Sequence, residues 1–427
     1  MGNMYYQVID VTDFGPYITK VILAMPRVMD KAELSKDLFN VYVTVKDRFG
    51  DVAKVPKSFA ERDILVPSEG EREITGIYPC DIEGNEQKSG RFIALELAYG
   101  PIYKCSSAIM ADITTLNAHE YYTFSDYKIT QVRSIGSGAE MLSDLLFDKC
   151  AGIYNPKKDR FKDYKSEDEE KVLRYGYYVP ELNGGKKPLI VWLHGAGEGG
   201  TQTCITYTGN KVTELTETWV QDKFDGVFIL VPQCPTMWLD DGSGKYGDSG
   251  NSKYVQVLKN TIDQFISRYS DVIDMDRIYV GGDSNGGFMT MRMIMDYPDY
   301  FAAAFPICEA MLDERIDELH ISKMKDMPIW FTHAANDPIV VPDKYAVPTY
   351  ERLIKAGASN VHFTYWDKIV DIHAGFKDAA GNPYEYLGHF AWIPMLNDDC
   401  KLDYNGEPVK FDGKEVTLIE WLSKQKK

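Results

Sequence analysis

Gly282-Asp283-Ser284-Asn285-Gly286 is the only G-x-S-x-G in this 427-residue chain. The run Arg277-Ile278-Tyr279-Val280 leads into it, and Gly287-Phe288-Met289-Thr290-Met291-Arg292-Met293 leads out with helical composition. Strand, tight turn and helix in that order hold a serine hydroxyl exposed above a sheet, and the flanking glycines let neighbouring backbone approach. A serine hydroxyl is a weak nucleophile at neutral pH. It needs an imidazole to take its proton and a carboxylate to fix the imidazole's tautomer.

In this architecture the partners follow in the order acid, then histidine. Asp337, in His333-Ala334-Ala335-Asn336-Asp337-Pro338, comes just past the apolar run Pro328–Thr332, where a loop at a strand's carboxyl end faces the crevice. It is the expected acid. Asp343 is the reserve, though its place at a helix start suits an N-cap. Of the seven histidines only His362, His373 and His389 lie beyond Asp337. His362 falls inside a strand. His389 lies on a late loop before the last helices, and His373, on an earlier loop, stays as the alternative. A tetrahedral intermediate also needs backbone donors. The amide of Asn285 is one, and Ala196, in Leu193-His194-Gly195-Ala196-Gly197-Glu198, is the expected second. That segment lacks the spacing of a phosphate-binding loop. Trp238, Tyr207, Phe390 and Trp392 are candidates for an aromatic substrate pocket or for core. Gly247-Asp248-Ser249-Gly250 superficially matches the serine motif of two-barrel proteases, but its Gly/Ser/Asp-rich surroundings predict a solvated loop.

The elements that must position these residues divide the chain in two. Residues 1–136 show period-two patterning, as in Phe39, Val41, Val43 and Val45 or Ile93, Leu95, Leu97 and Tyr99. Further strands are predicted over Tyr17–Met25, Arg72–Tyr78 and Tyr121–Val132, which suits a small all-β, immunoglobulin-like sandwich. Ser134 to Gly138 has hinge composition, and Asn155 to Lys171 has that of a solvated loop or hairpin. Residues 137–427 alternate apolar runs with helical periodicity, the pattern of a mostly parallel α/β sheet. Its strands are predicted over Pro188–Leu193, Gly226–Val231, Arg277–Val280, Phe301–Pro306, Pro328–Thr332 and Val361–Trp366. One helix presents Val255, Leu258, Ile262, Phe265, Ile266 and Tyr269 on a single face, and another spans Val416–Gln425.

Composition narrows the partners. With 44% hydrophobic and 26% charged residues the chain is an ordinary globular one. A formal charge of −17 repels phosphate backbones and anionic lipid, so neither nucleic acid nor a membrane surface is an expected partner. Seven cysteines include no C-x-x-C, which leaves no zinc ribbon, and no metal is expected. Met1 to Thr12 has no signal-peptide pattern, and no 18-residue apolar run occurs, so the chain is expected to be soluble. Met1-Gly2 is compatible with a removed export signal. The compartment, cytoplasmic or secreted, stays open, as does homo-oligomerisation.

With these residues in place, positions 172–425 resemble α/β-hydrolases of the prolyl-oligopeptidase-like and feruloyl-esterase-like group. The resemblance is carried by Trp192-Leu193-His194-Gly195-Ala196-Gly197-Glu198, by Val231-Pro232-Gln233-Cys234-Pro235, by Arg277 through Gly287, and by His389 three residues before Trp392. With its β-rich front the whole resembles bacterial esterases carrying an N-terminal immunoglobulin-like domain. The resemblance implies a Ser284, Asp337, His389 triad, acyl-ester hydrolysis of aryl, feruloyl or acetylated-carbohydrate esters, and no cofactor. Asn285 departs from the hydrophobic residue or Gln usual after the serine, which predicts a polar group beside the acyl pocket. A peptidase of the prolyl-oligopeptidase type is the alternative, although 136 residues are too few for its propeller, whose seven blades need about 300. A catalytically inactive glycan- or protein-binding relative is the other.

Overall fold

In the computed structural model the described residues are 4–427 apart from 57–63, 104, 113–118, 245, 246 and 248. Met1-Gly2 and Asp248, singled out above, lie outside them. The chain forms two compact units. One runs to Met110 and resumes over Tyr121–Asp159, and the other comprises Ala111–Glu120 and Arg160–Lys427.

The first unit is a sandwich of two sheets. Its five-stranded sheet runs in the order Lys149–Tyr154, Met4–Thr12, Gly15–Asp30, Ser89–Leu97, Ile74–Cys80. The four-stranded sheet runs Leu146–Phe147, Phe124–Gln131, Phe39–Lys46, Glu69–Arg72. Alternation places Phe39, Val41, Val43 and Val45 inside, against Val21, Leu23, Ile93 and Leu95 of the facing sheet. The stretch predicted as one strand over Arg72–Tyr78 breaks at Glu73, because its two halves belong to different sheets. Arg72 is buried there, and its guanidinium donates to Tyr127 Oη (2.7 Å) and to the carbonyls of Ile18 (3.0 Å), Ala98 (2.9 Å) and Cys105 (3.1 Å). Hydrogen bonds to three carbonyls and a phenol offset the cost of burying that charge. The Ser134–Gly138 segment is not a hinge. Ile135 is buried and pairs with Leu142, and the unit continues past 137 because Lys149–Tyr154 runs parallel to Met4–Thr12.

The second unit is built on an eight-stranded sheet: β1 (Lys162–Tyr164), β2 (Tyr175–Tyr178), β3 (Lys187–Leu193), β4 (Phe228–Pro232), β5 (Ile273–Asp283), β6 (Ala303–Ile307), β7 (Ile329–Ala334) and β8 (Val361–Trp366). Their order is β1-β2-β4-β3-β5-β6-β7-β8. The first three are antiparallel neighbours and the rest are parallel. β1 comes from the stretch predicted to be a solvated loop or hairpin. Phe161, just before it, is buried by stacking on Tyr207, and the run of charges around it concealed the strand. β3 and β4 are buried at every position, which is why they appear as continuous apolar runs rather than alternating ones.

Helix α1 (Val255–Arg268) lays Val257, Leu258, Ile262, Phe265 and Ile266 on the sheet. Each such side chain contributes about 1.5–3 kcal/mol by leaving water. Helix α2 (Asn285–Asp296) follows β5 directly and is buried along most of its length. Helix α3 (Leu418–Lys424) ends the fold, its first turn closed by a capping box between Thr417 and Glu420.

Candidate active site

The turn between β5 and α2 is as tight as backbone permits. A Cβ on Gly282 would lie 2.1 Å from the carbonyl oxygen of Leu193, and one on Gly286 would lie 1.8 Å from the same atom. Only glycine fits at either place. Ser284, between them, takes φ 53° and ψ −112°, a left-handed strained conformation that aims its side chain away from the sheet. Its amide donates to Ile307 O at 2.9 Å, which fastens the strained residue to β6.

Loops at the carboxyl ends of β7 and β8 bring in two further groups. Ser284 Oγ donates to His389 Nε2 at 2.8 Å, and His389 Nδ1 donates to Asp337 Oδ2 at 2.7 Å. The carboxylate demands the proton on Nδ1, so Nε2 is left free to accept from the serine. His389 and Asp337 are both buried. Burial alone would raise the acid's pKa. Hydrogen bonds from His333 and then His389 outweigh it and hold the carboxyl well below the ordinary carboxylate range.

Asp337 accepts from four donors. Oδ1 takes the amides of Ile339 (2.8 Å) and Val340 (3.1 Å), and Oδ2 takes His389 together with His333 Nε2 at 3.0 Å. His333 Nε2 also faces Val340 O at 2.9 Å, while its Nδ1 is buried without a partner. Two acceptors facing one nitrogen put a proton there, so His333 donates through Nε2. His333 precedes Asp337, so the order acid, then histidine excludes it as the base, and nothing in that order signals a second imidazole donor to the acid. The other two late histidines are occupied elsewhere. His362 Nδ1 meets Asp403 Oδ2 at 2.7 Å, and His373 Nε2 meets Asp399 Oδ2 at 2.9 Å. Asp343 lies inside a short 3-10 turn, Pro342–Lys344, whose N-cap is Val341, and the helix that follows is entered from Tyr345, so Asp343 is not the N-cap its position suggested.

Asn285 begins α2, so its amide is among those no helical carbonyl can satisfy. Its side chain is not the exposed polar group expected beside a pocket. It is buried, with Oδ1 accepting from Trp238 N at 2.6 Å. Ala196 sits in the loop after β3, whose other residues are firmly held. His194 Nε2 accepts from Cys234 N (2.9 Å), which leaves Nδ1 to donate to Gly195 O (2.6 Å), and Trp238 Nε1 donates to His194 O (3.1 Å). Burial lowers the pKa of His194 to about 4, so the ring stays neutral.

The four aromatic candidates separate. Trp238 is fully buried behind His194, and Tyr207 is sealed between Phe161 and Asp163, so neither offers a face to a ligand. Trp392 meets the His389 ring edge to face at 5.9 Å, and Phe390 lies 4.7 Å from Trp392. Trp392 packs on the imidazole, and Phe390 packs on Trp392. Ser249 accepts from Asn251 N within its loop. Among the described residues no cluster of His, Cys, Asp or Glu could hold a metal, and no helix is long and apolar enough to cross a membrane.

Residues 4–143 match the family described as esterase Ig-like N-terminal domain, and residues 179–370 match the phospholipase/carboxylesterase family. The chain has the α/β-hydrolase fold behind an immunoglobulin-like front domain. Over nearly its whole length the chain is similar to a solved thermostable esterase, at 25% identity and a TM-score of 0.72 covering 99% of this chain and 100% of that one. Among curated proteins the chain is 32% identical over 136 residues to feruloyl esterase B of Neurospora crassa, covering 31% of this chain and 42% of the relative. It is 32% identical over 138 residues to poly(3-hydroxyalkanoate) depolymerase C of Paucimonas lemoignei, covering 30% of each. It is 30% identical over 131 residues to acetylxylan esterase A of Emericella nidulans, covering 30% of this chain and 38% of the relative. The aligned part therefore spans less than half the length of these relatives. Ser284 and Asp337 fall inside the carboxylesterase match, and His389 lies beyond its end at 370.

Proposed function

We propose that the hydrolase is a serine carboxylesterase in which Ser284, His389 and Asp337 form the catalytic triad. Ser284 Oγ bonds to the ester carbonyl carbon while His389 Nε2 takes the hydroxyl proton, and the amides of Asn285 and Ala196 receive the oxyanion. The C–O bond to the alcohol then breaks, and His389 returns the proton to the leaving oxygen. A water molecule deprotonated by His389 attacks the acyl-enzyme, which releases the acid and restores the serine. Asp337 holds the imidazole in the required tautomer and stabilises its cation. The observation that carries this reading is His389 hydrogen-bonded on both sides, at 2.8 Å to Ser284 and 2.7 Å to Asp337.

The Trp392 ring against His389, with Phe390 packed on it, and the names of the relatives, a feruloyl esterase and an acetylxylan esterase, favour an aryl ester or an acetylated carbohydrate as substrate. Turnover of 4-nitrophenyl acetate, methyl ferulate, acetylated xylan and a peptide anilide tests the reading. Ester turnover that falls by about 10⁶ in Ser284→Ala, with little anilide cleavage, is the expected result. Preferred anilide cleavage points to a peptidase, and activity that survives Ser284→Ala refutes the assigned nucleophile.

A further inference from the structure

Two carboxyl side chains that take no part in the proton relay are buried behind the loop of Ala196. Glu198 closes that loop at 2% exposure, and Asp283, the residue before Ser284, is 1% exposed. A single amide nitrogen serves both. Asn210 Nδ2 donates to Glu198 Oε2 at 3.1 Å and to Asp283 Oδ2 at 2.9 Å, which engages both of its hydrogens. Glu198 Oε2 accepts in addition from Gly195 N at 2.8 Å. These atoms converge on Gly195, where a Cβ would stand 2.7 Å from Asp283 Oδ2 and 3.3 Å from Glu198 Oε2.

Two carboxylates this close and this dry cannot both be ionised. Burial pushes Asp283 up to about 7 and Glu198 well above its ordinary value, the latter further raised by Asp283 and Glu120. A neutral carboxyl still accepts a hydrogen bond through its carbonyl oxygen, so the amide bridge survives protonation.

The bridge joins the two places that supply oxyanion donors. Gly195 precedes Ala196, and Asp283-Ser284 precedes Asn285. The start of the loop has its own tether, since Trp238 links Asn285 Oδ1 to His194 O. The Asn210 bridge holds the other end. We infer that Asn210 is a positioning residue that, through Glu198 and Asp283, locks the loop carrying Ala196 to the elbow carrying Ser284 and Asn285 and so sets the spacing of the two oxyanion donors. The inference rests on the esterase reading above.

Steady-state kinetics on an activated ester for Asn210→Ala, Asn210→Asp and Glu198→Gln test it, together with affinity for a boronic acid that mimics the tetrahedral intermediate. A displaced donor costs roughly 10–100-fold, somewhat less than a deleted one. Asn210→Ala is expected to lose kcat by that factor with KM within about 2-fold, and to lose boronate affinity in parallel. Asn210→Asp loses at least as much, because it offers acceptors where a donor is required. Glu198→Gln keeps an oxygen for Gly195 and Asn210 and retains kcat within about 3-fold. Wild-type turnover that Ser284→Ala abolishes but Asn210→Ala leaves within 2-fold overturns this inference alone. So does a loss carried entirely by KM, or one that vanishes well below the variant's melting temperature. Absence of ester turnover in the wild type overturns the esterase reading and this inference with it.

Discussion

Replacing Asp337 by Asn changes no volume and removes the one group that dictates where His389 keeps its proton. The carboxylate accepts four hydrogen bonds, two on each oxygen, and an Asn side chain offers one oxygen and two N–H donors. If the oxygen faces the imidazoles, the new NH2 meets the amides of Ile339 and Val340 head-on at about the 2.8 Å and 3.1 Å now occupied by hydrogen bonds. A backbone amide cannot change its proton. If the oxygen faces the backbone, the NH2 meets His389 Nδ1, and an imidazole can change its tautomer at small cost. The second arrangement wins. The proton of His389 then sits on Nε2, pointing at Ser284 Oγ, and the base can no longer accept. The expected loss in kcat is about 10⁴-fold, or about 5.4 kcal/mol of transition-state stabilisation, with KM within about 3-fold. Stopped assays on an activated aryl ester, with circular dichroism to verify folding, measure it. A folded Asp337→Asn variant within tenfold of wild-type kcat, or one whose loss lies in KM, refutes the tautomer argument.

Three further outcomes follow from the same coordinates. Gly286→Ala places a Cβ 1.8 Å from Leu193 O, so α2 must move and carry the Asn285 amide with it; kcat/KM is expected to fall at least 100-fold, and fluorophosphonate labelling of Ser284 to slow in step. Because Asp337 has its pKa depressed by folding, its contribution to stability is complete above the unfolded value of about 3.9 and disappears as pH falls through the lower folded value. The melting temperature of Asp337→Asn should therefore decline less between pH 5 and pH 2 than that of the wild type. Arg72→Met leaves the carbonyls of Ile18 and Ala98 and the Tyr127 hydroxyl without their donor, at a cost of about 3–5 kcal/mol. Chemical denaturation should show an earlier transition for the front unit, and an unchanged denaturation midpoint refutes the assignment.

The elbow was legible because its chemistry is local. Glycines two residues either side of Ser284, an apolar run before and a helical one after, all lie within about twenty consecutive positions, and local sterics decide their conformation. The buried central strands were legible for a similar reason, since a strand covered on both faces has to be apolar throughout. Residue types and chain order reduced the acid and base to a few candidates, but they left His373 beside His389. Only the tertiary structure separates the two, by pairing His373 with Asp399 and carrying His389 to Ser284 across 105 residues of chain, which is what favours His389 as the proposed base. Asn210 and Glu198 could not be recognised from their own neighbourhoods, because the bridge that joins them runs on to Asp283, 73 residues beyond Asn210, and that distance depends on how strands and loops stack. His333 lies only four residues from Asp337, but whether those two side chains meet depends on the fold of the loop between them. The division of the chain was likewise set by pairing rather than composition: Lys149–Tyr154 joins the front unit because it lies alongside Met4–Thr12, and β1 joins the second unit because Tyr175–Tyr178 pairs with it. Short-range sterics and burial patterns are written in consecutive residues, whereas hydrogen bonds between distant segments exist only once the chain has been brought back on itself.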